Sequence, residues 1–240
     1  MAMTPIMFAD QIRQALPTGV RAIVLYGSAV TGDHLGEKSD FNVLLVLDQI
    51  GLAELKALSG PTAAWVKAGN HPPLMFTAAS LQEAADVFPI ELLDIRDAHK
   101  VLSGDDVVHG LVVNDAHLRL QVEHELRGKL IQLQAQFLLT GLKPKVVAAL
   151  LTGSVSKFLI LLRAALRLYV KTVPAQKLAA MHVLAQHVAF DTEALVIVQE
   201  LKEGRRKLRE LQPEALFERY VRAIEAVTQA VNDWKKGTGI

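Results

Sequence analysis

The 240-residue chain contains no cysteine, which excludes disulfides, thiol nucleophiles and thiolate metal ligands together; any metal must be held by oxygen or nitrogen. It also lacks an excess of charge. Its 26 basic and 25 acidic residues leave a net charge of +1, so no overall field draws it onto nucleic acid or an anionic membrane. Aromatic residues make up only 5%, and none is interleaved with the basic run "KEGRRKLRE", Lys202 to Glu210. A stacking surface for single strands is therefore not expected, no nucleic-acid partner is expected, and the run reads as a solvated face. Long hydrophobic runs are missing too. The most apolar stretch, Phe158 to Val170, is interrupted by Arg163 and Arg167 and is short for a bilayer span. The N-terminal residues carry no secretory pattern. The expectation is a cytoplasmic protein with no membrane partner. There is no internal repeat and no low-complexity segment.

What is present is apolar and patterned. At 51% hydrophobic residues the chain can fill a sizeable core. Phe8, Ile12 and Leu16 lie four apart and predict a first amphipathic helix ended by Pro17. "RAIVLYG" and "FNVLLVLD" read as two buried strands, with "PPLMFT" as a third and "HKVLSGDD" as a short edge segment. Between them, "IGLAELKALSG" reads as a helix and "PTAAWVKAGN" as part of another. "SLQEAADVFPIELLDIRDA" reads as a capped helix starting after Ser80 and broken near Pro89. From Ala116 onward, five segments carry helical apolar spacing, separated by Gly, Pro or Asp stops. The expected class is α+β: a mixed sheet with flanking helices over residues 1–110, then an all-α helical bundle over residues 111–240.

The chemistry concentrates in Tyr26 to Asp48, "YGSAVTGDHLGEKSDFNVLLVLD". A strand that ends in Gly27-Ser28 and turns into a helix gathers backbone N–H groups, a helix dipole and a hydroxyl at one point, which suits phosphate. On the following strand Asp40 and Asn42 are two residues apart and so share a face, because strand side chains alternate. Together they could hold Mg²⁺ against a nucleoside triphosphate. His182 and His187, five apart on a helix, do not share a face and are not expected to share a metal.

"GSAVTGDHLGEKSDFNVLLVLD" resembles the signature of the DNA polymerase β-like nucleotidyltransferase superfamily, in which Gly-Ser is followed, after a loop, by Asp-x-Asp on a strand. Gly27 and Ser28 match its phosphate-binding turn, Ser39 the residue before the first metal ligand, and Asp40 that ligand. The resemblance implies an α/β core with a mixed sheet, an appended helical domain, and Mg²⁺-dependent transfer of a nucleoside monophosphate from a nucleoside triphosphate to a hydroxyl of a small molecule or protein, as in antibiotic adenylyltransferases. In such relatives a carboxylate of the helical domain is the general base, a role that Glu123 or Glu125 could fill here. Glu123 with Arg127 and Glu125 with Lys129 also make plain intrahelical pairs, each four residues apart.

Two departures bear on activity. The second ligand position holds Asn42, whose carbonyl can coordinate but brings no charge, so Mg²⁺ loses a unit of Coulomb attraction. The third carboxylate, which the superfamily draws from a later strand, has no match in "PPLMFT"; Glu83, Glu91, Asp94 and Asp97 lie nearby in helix and loop. Two readings follow: a transferase with weakened activity, or an inactive protein of this fold that acts as a nucleotide-binding or partner-binding regulatory module. A homodimer through the helical domain, on the Phe158 to Val170 helix, is a further expectation.

Overall fold

The computed structural model describes residues 3–31 and 41–235. The chain divides into two compact units, Met1–Asn114 and Asp115–Ile240.

The first unit is built on a four-stranded mixed sheet of order β3-β2-β1-β4. β1 (Val20–Tyr26) runs antiparallel to both β2 (Asn42–Leu47) and β4 (His99–Gly104), while β3 (Leu74–Thr77) is parallel to β2. The central strands β1 and β2 read as near-continuous apolar runs because both faces of the sheet are covered. On one face Ile23, Leu25, Val43, Leu45 and Leu47 pack with Phe8 and Ile12 of α1 (Pro5–Ala15) and Leu58 and Trp65 of α3 (Leu52–Lys67). On the other, Ala22, Val24, Leu44 and Val46 pack with Leu81 of α4 (Ala78–Glu83) and Leu92 and Ile95 of α5 (Pro89–Asp97). A four-residue helix, α2 (Ser28–Thr31), follows β1.

Three local outcomes differ from the sequence expectation. Pro61 does not split the segment after β2: α3 runs through it as one 16-residue helix, because Leu58 and Trp65, seven residues apart, continue one buried stripe across the proline. α4 is capped by Thr77 rather than Ser80. The Thr77 Oγ1 accepts from Ser80 N at 3.1 Å while Thr77 N donates to Ser80 Oγ at 2.9 Å, a reciprocal cap that begins the helix three residues early. β4 ends at Gly104 (φ 83°), where an added Cβ would lie 1.8 Å from the Arg21 carbonyl oxygen, so only glycine lets the chain pass there.

The second unit holds five α-helices among the described residues: α6 (Asp115–Leu138), α7 (Pro144–Leu166), α8 (Lys177–Leu184), α9 (Thr192–Lys202) and α10 (Pro213–Asp233). α7 is the central one, in contact with the other four. By length and composition it could cross a membrane, yet Val147, Leu151, Val155, Phe158 and Leu162 are core residues of the bundle. On the helix expected to offer a pairing surface, Phe158, Leu159, Leu161, Leu162, Leu166 and Leu168 are buried in the unit's own core. α10 supplies Phe217, stacked on Phe137 with centroids 3.9 Å apart, and buried Tyr220, whose hydroxyl meets Ser154 Oγ at 3.0 Å. Burial pushes the Tyr220 phenol well above its ordinary range. α9 stops at Lys202 because Gly204 (φ 74°) takes the left-handed position after the C-cap. The basic run then folds back, with Arg206 Nε 2.8 Å from Glu200.

Candidate functional site

Antiparallel pairing sets the site's frame. Tyr26, the last residue of β1, lies opposite Asn42, the first of β2, so the turn after β1 and the start of β2 meet at one end of the sheet. Gly27 in that turn has φ 81°, a left-handed conformation that favours glycine. Its N–H donates to the Ala98 carbonyl at 3.0 Å, and its own carbonyl accepts from Val30 N at 2.9 Å. A Cβ on Gly27 would come within 3.3 Å of Asn42 Nδ2. The turn is thus fixed on both sides, and its backbone lies directly against the Asn42 amide. Ser28 opens α2 immediately after it. Ser39 and Asp40 lie outside the described residues.

Strand alternation gives Asn42 the same face as Leu44 and Val46, the face covered by α4 and α5. Tyr26 pairs on its other side with His99 of β4, so Asn42, Tyr26 and His99 form a row across three strands. Burial raises the Tyr26 phenol above its ordinary value and keeps it neutral. The His99 ring is engaged at both nitrogens: Nδ1 donates to the Arg96 carbonyl at 2.9 Å, and Nε2 faces the Asp106 carboxylate at 3.1 Å. Partial desolvation works to raise the Asp106 carboxyl, but hydrogen bonds from His109 N–H and His99 outweigh it and hold the group below its usual range.

The start of β2 is held by a brace that the sequence reading missed. Asn70 Oδ1 accepts from Phe41 N at 3.1 Å, and Asn70 Nδ2 donates to the Trp65 carbonyl at 3.3 Å. Trp65 is fully buried, stacks on Phe8 with centroids 4.4 Å apart, and donates its indole N–H to the His71 carbonyl at 2.9 Å. The brace therefore fixes the residue next to Asn42. Gly69 (φ 97°) followed by Asn70 is a helix-stop signal in the sequence, but only the fold shows where the asparagine side chain goes.

The acids are dispersed. Asp48, at the far end of β2, pairs with Arg21 at 2.6 Å, and both are about half exposed. Glu83 lies on α4, and Glu91, Asp94 and Asp97 on α5. Among the described residues no three His, Asp or Glu side chains are grouped to hold a metal ion. Asn42 brings one neutral oxygen to the sheet end and does not by itself make a Mg²⁺ site without a charged neighbour.

In the helical unit, Glu123 accepts from Arg127 Nε and Arg119 Nη1, each at 2.8 Å. The hydrogen bond from Arg127 is the largest influence holding its carboxyl below the usual range, with Arg119 adding to it. A carboxylate clamped by two guanidinium groups is a poor proton acceptor. Glu125 pairs with Lys129 at 2.9 Å, both side chains being about one-third exposed.

No family model matches the chain, and no curated protein does. Among solved structures it is similar to the spectinomycin adenyltransferase AAD(9) from Enterococcus faecialis, a crystal structure with ATP and spectinomycin. The TM-score is 0.57 at 12% identity, over 95% of this chain and 98% of that one. At that identity the likeness shows a shared fold, a mixed sheet with flanking helices followed by a helical part.

Proposed function

We propose that the Gly27 end of the sheet binds a nucleoside triphosphate and that the protein transfers its nucleoside monophosphate, weakly, to a hydroxyl of a small molecule or protein. The observation that carries this reading is the left-handed Gly27 turn packed against Asn42, in a chain whose fold is similar to that of an adenyltransferase solved with ATP. Backbone N–H groups and the Ser28 hydroxyl are assigned to the phosphates. Asp40 and Asn42 are the residues that would hold Mg²⁺, which would supply positive charge to the triphosphate. The acceptor oxygen forms a bond to the α-phosphorus, the bond to the bridging oxygen breaks, and pyrophosphate leaves. The acceptor's proton goes to a carboxylate. Of the two helical-unit candidates, Glu125, with one lysine partner, is the less encumbered, whereas Glu123 is held by both Arg119 and Arg127.

The dispersed acids favour a second reading in which the same site binds nucleotide without turnover and the protein acts on a partner. Replacing Asn42→Asp separates the two. Pyrophosphate release from ATP and Mg²⁺ with a panel of aminocyclitol and protein-hydroxyl acceptors is expected to rise at least tenfold in Asn42→Asp if the fold retains transfer. Release at background in both proteins favours the binding module.

A further inference from the structure

Helix α6 turns Leu118, Val122, Leu126 and Leu133 into the bundle core. Its opposite side carries His124 and Arg127 together with large apolar side chains. Leu120, Ile131 and Leu138 are 55%, 65% and 82% exposed. At roughly 100° per residue, their spacing of eleven and seven residues places them within about 20° of one line along the helix, facing away from the core. Gly128 and Ala135 flank that line. A Cβ on Gly128 would meet nothing within 4 Å, so packing inside the chain does not require glycine there, although glycine weakens a helix interior relative to alanine. The turn into α7 adds Leu139 and Leu142, 85% and 54% exposed. That turn is built firmly. Thr140 is buried, donates through Oγ1 to the Phe137 carbonyl at 2.8 Å and accepts from Leu142 N at 3.2 Å. Leu142 itself has φ 56°, a left-handed conformation that disfavours a leucine.

We infer that this face docks a second copy of the chain, with α6 packed antiparallel on its twin about a twofold axis at Ile131. The pattern complements itself under that operation. Ile131 falls on itself, Leu138 of each copy falls beside His124 of the other, and Leu120, about 16 Å from Ile131 along the axis, reaches the other copy's Leu139 and Leu142 tip. Charge selects the same arrangement. Every charged side chain of α6 lies at or before Lys129, and residues 130–142 carry none. Antiparallel pairing sets the charged half of each helix against the uncharged half of the other. Parallel pairing would set Arg127 on Arg127. Gly128 and Ala135 beside the seam let the axes approach to about 8 Å. The five exposed side chains present roughly 600 Å² per copy, and the pair's roughly 1,200 Å² reaches the lower end of stable interfaces, which fits a concentration-dependent dimer.

Because the chain has no cysteine, Ile131→Cys places a single thiol on the axis. Mild oxidation with copper phenanthroline is expected to give a disulfide-linked dimer, whereas Lys56→Cys on α3, also exposed, stays monomeric. Sedimentation equilibrium of the full chain should show a monomer–dimer equilibrium that Ile131→Arg weakens at least tenfold while leaving the thermal melt unchanged. A monomer up to about 100 μM, a dimer indifferent to Ile131→Arg, or cross-linking no faster at residue 131 than at residue 56 would overturn the inference. So would a monomer that floats with anionic lipid vesicles through the same leucines.

Discussion

Replacing Gly27→Ala tests the geometry on which the site reading depends. Two contributions set its size. At φ 81° an alanine is held in the left-handed region, at a cost of about 1–2 kcal/mol. The new methyl would also stand 3.3 Å from Asn42 Nδ2, a tight contact that a half-buried side chain can relieve by shifting a few tenths of an ångström, adding a few tenths of a kcal/mol. A total near 1.5 kcal/mol corresponds to a fall in melting temperature of roughly 6 °C for a unit of this size. The chain's two tryptophans fall one in each unit, so Trp65 fluorescence in a Trp234→Phe background reports the first unit alone. A cycle with Asn42→Ala divides the effect: the φ contribution stays and the contact contribution disappears. ATP affinity should fall with Gly27→Ala, since the methyl occupies the space between the turn and Asn42. An alanine variant as stable as the parent, with unchanged ATP affinity, would refute both the backbone argument and the assignment of the turn to phosphate.

Gly104→Ala should be far more damaging, lowering the Trp65-monitored melt at least twice as much as Gly27→Ala, because its Cβ meets the fixed Arg21 carbonyl at 1.8 Å rather than a movable side chain. In the helical unit, Asp191 caps α9 and pairs with Arg219 at 2.7 Å, and that hydrogen bond, ahead of burial, which opposes it, holds its carboxyl below the usual range. The folded value lies under the unfolded one of about 3.9, so the stabilisation is complete above that pH and is lost as pH falls through the folded value. The stability difference between the parent and Asp191→Asn should be constant above about pH 5 and close below about pH 4 in urea titrations read by Trp234. A gap that persists at low pH would show that the cap, not the charge, is responsible.

Much of the fold was legible because it depends on local patterns. The apolar runs of β1 and β2 mark strands covered on both faces, and the stops between helical segments mark the bundle. What the sequence concealed depends on contacts distant along the chain. Pro61 reads as a break until Leu58 and Trp65 are seen to share one buried stripe. The Asn70 brace spans 29 residues to Phe41 and leaves no periodic trace. The apolar character of α7 is the same whether a helix faces a partner, a bilayer or its own core, so composition could not decide among them. At the site, the approach of the Gly27 turn to Asn42 was foreseeable from two adjacent strands, and the Glu123 to Arg127 pair from four-residue spacing. The second clamp on Glu123, from Arg119, uses the same spacing in the other direction.

The most direct measurement is calorimetric titration of ATP into the full chain with Mg²⁺ and with EDTA, repeated on Asp40→Ala. Binding in Mg²⁺ that weakens at least tenfold in EDTA and again in Asp40→Ala is the expected result, and means that one aspartate and one asparagine suffice to place the nucleotide. ATP binding unaffected by EDTA and by Asp40→Ala, or no binding at all, would contradict the account and leave only the inherited fold.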